Sequence, residues 1–244
     1  MTAGDAISVL AFDTATAATA VALGDREARD DPPDGARPGH ARRLLALIEQ
    51  LLAASDSGDQ GHQRNQRQRG DWSQVQRIAV GVGPGTFTGL RIGIATAHAL
   101  VRATGLPLVG VSTLASLELG ARARYGDDAE ILAVIDARRG EAFAAGRGLA
   151  ATVLTPGALG EVAGAQAGNG VIAVGDGAIK FRGVLEAAGA HVPDDCEPVH
   201  RVSAVYHCRL AQKLTPSSLR DVRPQYLRVP DAELQARAAE LQAR

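Results

Sequence analysis

The sequence predicts an α/β fold of two related lobes that arose by internal duplication, and three observations predict it. Apolar runs that end in an aspartate occur twice, at Ile7 to Phe12 before Asp13 and at Ile131 to Ile135 before Asp136. Each is followed by a turn and a second apolar run, which is typical of a β-hairpin. Between them, residues 78–111 read as a strand, a helix and a strand, and such a β-α-β unit favours parallel neighbouring strands.

Size and composition agree with two lobes. A chain of 244 residues with 45% apolar and 22% charged residues is an ordinary globular protein. We predict an N-terminal lobe over residues 1–111, a C-terminal lobe over 112–228 and a tail over 229–244. The net charge of -1 argues against binding of nucleic acid through a strong overall field, so contact with RNA would be local or shared with a partner.

The sequence also bounds the compartment. Cys196 and Cys208 are the only cysteines, and neither they nor the histidines have the close spacing of a zinc site. No secretory signal pattern opens the chain, and no apolar run reaches the length of a membrane span. We therefore expect a soluble cytoplasmic protein that makes no membrane contact.

The first lobe continues with a helix and a polar loop. Residues His40 to Ala53 place leucines and isoleucine at helical spacing and predict an amphipathic helix. Ser55 to Gln74 contains almost nothing apolar, which predicts a mobile loop. Its basic cluster is either a solvated surface or a contact for RNA phosphates: Arg64, Arg67 and Arg69.

The most informative segment follows that loop. An apolar strand at Ile78 to Val82 ends in Gly83-Pro84-Gly85, and Thr86 or Thr88 then caps a helix that runs to Thr104. A helix N-terminus reached through glycines presents free N–H groups and a positive dipole end, which suits an anion such as phosphate. The alternative is that the glycines only make the turn.

The remaining elements follow in order. We predict a strand ending at Val111, a helix from Ser112 or Thr113, a hairpin strand over Glu141 to Ala145 and a strand over Val171 to Val174. A loop at Gly175-Asp176-Gly177 and a helix over Ile179 to Ala188 follow that strand, and a frayed helix closes the chain after Arg228.

Small residues recur every four positions in the helix after the glycine loop, at Gly89, Gly93 and Ala97. Such a stripe lets another helix approach closely and pack by shape. Without further information, the better interpretation is that the lobe's own sheet covers this face.

Five short motifs in a fixed order carry a family resemblance. They are Leu10-Ala-Phe-Asp-Thr14, Gly83-Pro-Gly-Thr-Phe-Thr-Gly-Leu-Arg-Ile-Gly93, Gly110-Val-Ser-Thr-Leu114, Asp136-Ala-Arg138 with Gly140-Glu141, and Tyr226-Leu-Arg228. This set resembles the bacterial TsaB (YeaZ) family over most of the chain, outside the 55–74 loop and the last dozen residues.

The resemblance implies a fold and a role. It implies the two-lobed actin-like, hexokinase-like and Hsp70-like (ASKHA) fold, and an accessory subunit with no catalysis of its own. The process is formation of N6-threonylcarbamoyladenosine (t6A) at position 37 of tRNAs that read ANN codons. The implied partners are a TsaD-like catalytic subunit, a TsaE-like ATPase, and tRNA through the complex, with self-association when TsaD is absent. No cofactor of its own is expected, because ATP, Mg²⁺ and metal belong to the partners.

The resemblance also gives the docking helices, because TsaB-like and TsaD-like subunits meet through their first two helices. The predicted interface residues on these helices are His40, Leu44, Leu45, Ile48, Leu52, Gly89, Leu90, Gly93, Ile94, Ala97 and Val101. The catalytic paralogue holds metal with a His-x-x-x-His helix, whereas this chain has Leu44 four residues after His40. A lone His40 makes a poor metal site, so a capping or interface role is expected for it.

A nucleotide site is the other candidate. Aspartates at the ends of the first strand of each lobe occupy positions where relatives of this fold place carboxylates near a metal-phosphate. The predicted anion or nucleotide site comprises Asp13, Thr14, Gly83, Gly85 and Thr86. Yet no lysine follows the glycines as in a P-loop, and a carboxylate at a turn also accepts bonds from backbone N–H groups. We rank that turn role above nucleotide binding at both Asp13 and Asp136.

Two functions other than an accessory subunit were weighed. The chain is alternatively a free-standing Mg-ATP-dependent phosphotransferase of the same fold, in which Asp13 and the Gly83 to Thr88 loop act together. A metallopeptidase is disfavoured by Leu44.

Overall fold

The computed structural model describes residues 7–33, 35–53 and 71–228 and contains two sheets. The first has five strands in the order β3-β2-β1-β4-β5. Its strands are β1 (Val9–Asp13), β2 (Thr19–Leu23), β3 (Arg26–Asp30), β4 (Arg77–Gly83) and β5 (Leu108–Ser112). Strand β1 is antiparallel to β2 and parallel to β4, and β4 is parallel to β5, as the predicted β-α-β unit requires.

The second sheet has four strands in the order β8-β7-β6-β9. They are β6 (Ile131–Arg138), β7 (Glu141–Gly146), β8 (Leu149–Leu154) and β9 (Ile172–Val174). Strand β6 is antiparallel to β7 and parallel to β9, the same arrangement as β1, β2 and β4. His191 forms a parallel bridge with Ile172 in the position that β5 occupies in the first sheet. The repeated topology confirms the predicted duplication.

Helices cover both faces of both sheets, and they bury the central strands on both sides. The helices are α1 (His40–Ala53), α2 (Phe87–Thr104), α3 (Thr113–Tyr125), α4 (Pro156–Gln166), α5 (Asp176–Lys180), α6 (Arg182–Ala187) and α7 (Ala204–Lys213). Helices α1 and α2 share a core with one face of the first sheet, and α7 packs on the other face. In the second sheet, α3 packs on one face and α4 to α6 on the other.

Helices α3 and α7 contact each other, so they form the layer between the two sheets. The molecule thus has five layers: α1 and α2, the first sheet, α3 with α7, the second sheet, and α4 to α6. The boundary between the lobes at residues 111/112 stays a prediction. Helix α7 follows that boundary in the sequence, yet it packs on the sheet of the first lobe.

Several sequence predictions need correction. The polar stretch after Leu23 contains an edge strand, β3, whose charged side chains hid it from a hydrophobic pattern. Asp176 and Gly177 of the predicted loop already belong to α5, which begins at Asp176 after Gly175. The single predicted helix over 179–188 is divided between two short helices, α5 and α6. Strand β8 and helices α4 and α7 were not predicted.

Some predictions fall outside the described residues. These are most of the polar loop with Arg64, Arg67 and Arg69, and the terminal helix after Arg228. Near the end of that loop, Trp72–Gln74 forms one turn of 3-10 helix. Among the described helices, none combines the length and apolar character that crossing a bilayer requires.

Candidate functional site

Asp13 ends β1 in the layer between the sheets, and its side chain is 1% exposed. One carboxylate oxygen, Oδ1, accepts a hydrogen bond from the Ala15 N–H at 2.7 Å. The other, Oδ2, accepts one from the Thr113 hydroxyl at 2.7 Å and lies 3.0 Å from Nε2 of His207. Each oxygen is therefore already engaged inside the fold.

Opposing effects set the ionisation of this carboxyl group. Burial alone would raise the pKa of Asp13, but His207, the Ala15 N–H and the Thr113 hydroxyl together lower the pKa below its ordinary value of 3.8. Asp13 is thus a buried carboxylate. Gly81 makes room for it, because a Cβ at position 81 would lie 1.9 Å from Oδ2.

The glycine loop closes against the turn after β1. Thr86 N–H donates to the Ala15 carbonyl at 2.7 Å, and a Cβ on Gly85 would lie 2.4 Å from that same carbonyl oxygen. The peptide between Gly83 and Pro84 is cis, and Gly83 has a φ of +102° that favours glycine. The five predicted anion-site residues are therefore neighbours. Packing of the glycine loop against the turn after β1 is sufficient to explain why they lie together.

Thr14 shows the same use of polar groups within the fold. Its hydroxyl donates to the Gly89 carbonyl at 2.8 Å, and its side chain is 1% exposed. The Thr86 side chain makes no capping hydrogen bond to α2.

His40 begins α1 and lies inside the lobe, at 3% exposure. Its Nδ1 lies 2.8 Å from the Thr19 hydroxyl, while its Nε2 is buried with no partner among the described residues. Burial lowers the pKa of His40, although Asp13 and a hydrogen bond to Thr16 oppose that shift. The ring joins α1 to β2, and the expected capping or interface role of His40 stays a prediction.

The predicted interface residues divide sharply by exposure. Nine are buried in the chain's own core and cannot reach a partner in this conformation: His40, Leu44, Ile48, Leu52, Gly89, Leu90, Gly93, Ile94 and Ala97. Val101 is partly buried, and Leu45 is 51% exposed. The docking role of these nine stays a prediction, and Leu45 is the exposed candidate among the predicted residues.

The small-residue stripe brings α2 against the turn after β1. A Cβ on Gly89 would lie 1.9 Å from the Thr14 carbonyl oxygen, and one on Gly93 would lie 2.5 Å from Oγ1 of Thr14. The close approach is therefore intramolecular, with the turn after β1 as the neighbour of Gly89 and Gly93.

The second lobe repeats the turn at the end of β6. Oδ1 of Asp136 accepts from the Arg138 N–H at 2.8 Å, just as Asp13 accepts from Ala15, and the predicted turn role is confirmed for both aspartates. Lys180 Nζ lies 2.7 Å from the same oxygen. Oδ1 of Asp176, an exposed residue, accepts a hydrogen bond from the Asp136 N–H at 3.0 Å.

A cleft of about 260 Å³ opens beside these turns. Arg29 and Asp31 on one side of it are joined by two hydrogen bonds of 2.8 Å, so these two charges largely satisfy each other. The residues Thr16, Ile135, Asp176, His200 and Arg201 also line it. Within the described residues, no group of three or more His, Cys, Asp or Glu side chains is placed to hold a metal.

Comparison with known proteins places this fold. The family model described as TsaD: tRNA N6-adenosine threonylcarbamoyltransferase matches residues 32–161, more than half of the chain. The chain belongs to this family, as a TsaB (YeaZ) protein.

Curated relatives and solved structures agree. The TsaB of Escherichia coli, a "tRNA threonylcarbamoyladenosine biosynthesis protein", is 35% identical over 135 residues, and that of Haemophilus influenzae is 32% identical over 137. These matches cover 55% and 56% of this chain but 52% of each relative, so the chain spans about half the length of the curated relatives it matches.

YeaZ from Pseudomonas aeruginosa has a TM-score of 0.68 and 26% identity, with 91% of this chain and 100% of that chain covered. This likeness, with the two sheets of repeated order, confirms the two-lobed ASKHA fold that the family implies.

Two partners of Asp13 in this TsaB-family chain were missed by sequence reasoning. Thr113 stood in a quoted motif without a role, and it is 100 residues from Asp13. His207 stands in a helix that the apolar pattern did not reveal, and only the packing of α7 on the first sheet brings it to β1. Small residues at helical spacing, Ala204, Cys208 and Ala211, are the local feature from which helix α7 could have been predicted.

Proposed function

We propose that this chain is a non-catalytic accessory subunit that supports t6A formation at position 37 of ANN-decoding tRNAs by docking a TsaD-like catalytic subunit. The observation that carries the proposal is the family match over residues 32–161, together with similarity to two proteins named for this biosynthesis. A TsaE-like ATPase and the tRNA join through the complex, in the cytoplasm.

The chemistry of the site supports an accessory role. The carboxylate that would orient Mg-ATP accepts hydrogen bonds from Ala15 and Thr113 and lies beside His207. The histidine that would begin a His-x-x-x-His metal helix bonds Thr19, and Leu44 stands at the second ligand position. We assign ATP, Mg²⁺ and the catalytic metal to the partner subunits.

The docking surface that we propose is the outer face of α1, centred on Leu45. This leucine is 51% exposed, while the leucines on either side of it along the inner face of α1 are buried. Large apolar side chains on an exposed helix are typical anchors of protein interfaces. The same face is the proposed contact when the isolated chain forms a homodimer.

Reconstitution of threonylcarbamoyl transfer to tRNA, with and without this chain, tests the role. Omission should reduce modification to background, and adding back the chain should restore it. Modification at the full rate without the chain would overturn the proposal. ATP calorimetry on the isolated chain tests the phosphotransferase alternative, for which submillimolar binding with turnover of a small substrate would be required.

The docking surface is tested with Leu45→Glu and a matched control. Placing a carboxylate in an apolar contact should weaken capture of a TsaD-like subunit by about tenfold or more. Leu214→Glu is the control, because Leu214 is 43% exposed and follows α7 on the opposite side of the first sheet. Equal binding by both variants would remove Leu45 from the interface.

A further inference from the structure

An exposed aromatic and cationic cluster lies where α2 begins. The rings of Phe87 and Tyr226 stack with centroids 5.2 Å apart, and the Arg91 guanidinium lies 3.8 Å from the centre of the Phe87 ring. Arg91 Nε also donates to the Tyr226 hydroxyl at 3.1 Å. Phe87 is nevertheless 37% exposed and Tyr226 is 40% exposed. The protein thus holds two aromatic rings in a fixed orientation at its surface.

The chain segment that supplies Tyr226 runs beside α2, and we call residues 217–228 the strap. Its backbone accepts or donates at several points of the first lobe: Ser217 N–H to Leu108 O, Val222 O to the ring of His98, and Gln225 N–H to Val82 O. Arg91 and His98, seven residues apart on α2, both contact the strap, so this side of the helix faces it. Arg102, four residues beyond His98, belongs to the same side.

Charge on this side has one predominant sign. Helix α2 contains no Asp or Glu, and the strap contains one acidic residue, Asp221, which accepts from Ser218. The two elements contain five arginines, of which Arg228 pairs with Glu141. The other four are exposed and form no ion pair within the described residues: Arg91, Arg102, Arg220 and Arg223. A locally positive surface therefore exists on a chain whose net charge is -1.

We propose that this surface, defined by Phe87, Arg91, Tyr226, Arg102 and Arg223, binds single-stranded RNA directly. Unpaired bases stack on exposed aromatic rings and on guanidinium planes, and arginines neutralise the phosphates that connect them. The outer ring surface of Tyr226 receives a base. The arginines along α2 and the strap follow the RNA backbone away from it.

Charge favours RNA over a protein partner as the occupant. A protein hot spot commonly surrounds an aromatic anchor with further large apolar side chains. Beyond Thr88, the exposed positions of α2 instead hold only arginine, alanine and threonine: Arg91, Ala95, Ala99, Arg102, Ala103 and Thr104. The short alanine side chains leave the two arginines accessible to a phosphate backbone that follows the helix. The surface does not include Leu45 or any other residue of α1. It does use α2, the second of the two helices through which the resemblance predicts docking, so capture of a TsaD-like subunit is measured beside RNA binding.

The test measures binding of a 5′-fluorescein-labelled 12-nucleotide single-stranded RNA of mixed sequence to the full chain by fluorescence anisotropy. Tyr226→Ala should weaken binding by about tenfold, the loss expected when one stacking platform is removed. Arg91→Gln should weaken binding and reduce the slope of log K against log salt by about 0.7, the value for one phosphate contact on a single strand. Thermal unfolding by circular dichroism verifies that each variant is folded.

Arg209→Gln is the charge control, because Arg209 is an exposed arginine on α7, on the opposite face of the first sheet, where it pairs with Asp25 at 3.1 Å. It removes the same charge and should change the affinity by less than about twofold. Tyr226→Phe keeps the ring and should bind RNA within about threefold of wild type.

Three results would overturn the inference. The first is no binding of the RNA by the wild-type chain below millimolar concentration at low salt. The second is equal loss in Tyr226→Ala, Arg91→Gln and Arg209→Gln, which would indicate a diffuse charge effect. The third is unchanged RNA affinity in Tyr226→Ala with lost capture of a TsaD-like subunit, which would make this surface a protein interface instead.

Discussion

Asp13 illustrates how one residue can look like a ligand site and act as a structural centre. Its carboxylate joins β1 to the first turn of α3 through Thr113 and to α7 through His207. Two helices that start far apart in the chain thus meet one side chain at the layer between the sheets. Without this carboxylate, the Ala15 N–H and the Thr113 hydroxyl would lose a charged acceptor inside the fold, and a buried donor left without its partner is costly.

Asp13→Asn should therefore lower the free energy of unfolding by about 1.5–3 kcal/mol at pH 7, because a neutral amide replaces the charged acceptor of two buried hydrogen bonds. Because the folded pKa of Asp13 lies below its ordinary value of 3.8, the unfolded chain binds the proton more readily. The stabilisation from Asp13 is hence complete above that value and is lost as pH falls through the folded pKa. Urea unfolding between about pH 7 and pH 3 should show the difference between wild type and variant narrowing below about pH 4.

Thr113→Val is the matched variant for this prediction. It keeps the carboxylate and the shape of the side chain but removes one hydrogen bond, so a smaller loss of about 1–2 kcal/mol is expected. An Asp13→Asn protein as stable as wild type at pH 7 would contradict the assignment of Asp13 as a structural centre.

At the scale of elements, the glycine-rich start of α2 is explained by contact with the turn after β1. Gly85 and Gly89 leave no room for a Cβ, because carbonyl oxygens of Ala15 and Thr14 occupy those spaces. Backbone atoms cannot move aside as the end of a flexible side chain can. The helix therefore sits where its own lobe requires, with its exposed side left for other contacts.

Gly89→Ala should destabilise the protein by about 1–3 kcal/mol, since the added Cβ would lie 1.9 Å from the Thr14 carbonyl oxygen. Gly157→Ala in α4 is the matched control. A Cβ there meets nothing within 4 Å, and alanine's greater helix propensity should stabilise by up to about 1 kcal/mol. Denaturant midpoints with unchanged m-values measure both effects. Equal stability of the two variants would show that α2 does not depend on this close approach.

At the scale of the whole molecule, the strap connects both sheets. Val222 is buried in the core beneath α2, whereas Leu227 packs against the core between α3 and the second sheet. Arg228 adds contacts to the Ala137 carbonyl and to Glu141 in the β6–β7 hairpin. The strap thus holds the β6–β7 hairpin close to the beginning of α2.

Leu227→Ala should loosen this connection. The loss of a partly buried leucine should cost about 1–2 kcal/mol and increase hydrogen exchange at the Gln225 amide, which bonds Val82 O at 2.7 Å, by about tenfold. Mass-resolved hydrogen exchange of strap peptides provides the measurement. Leu214→Ala, at an exposed position, should leave the exchange unchanged. Unaltered protection in Leu227→Ala would mean that the strap is held from the first lobe alone.

The sequence by itself determined much of the architecture. Apolar runs ending in aspartate predicted β1 and β6, helical spacing predicted α1, and the ordered motifs identified the TsaB family, because these signals lie within short stretches of chain. The same local character explains the misses. The charged edge strand β3 lacks apolar alternation, and in α4 and α7 glycine, alanine and polar residues interrupt the apolar pattern.

Only the tertiary structure decided what the recognised residues contact. The surroundings of the Asp13 carboxylate are formed in part by Thr113 and His207, which lie 100 and 194 residues away in the chain. A stripe of small residues such as Gly89 and Gly93 allows close packing against any neighbouring segment. Only the structure shows that this segment is the turn after β1. Side-chain environment is a property of the packed chain, because distant segments create it, and spacing along the sequence does not encode it.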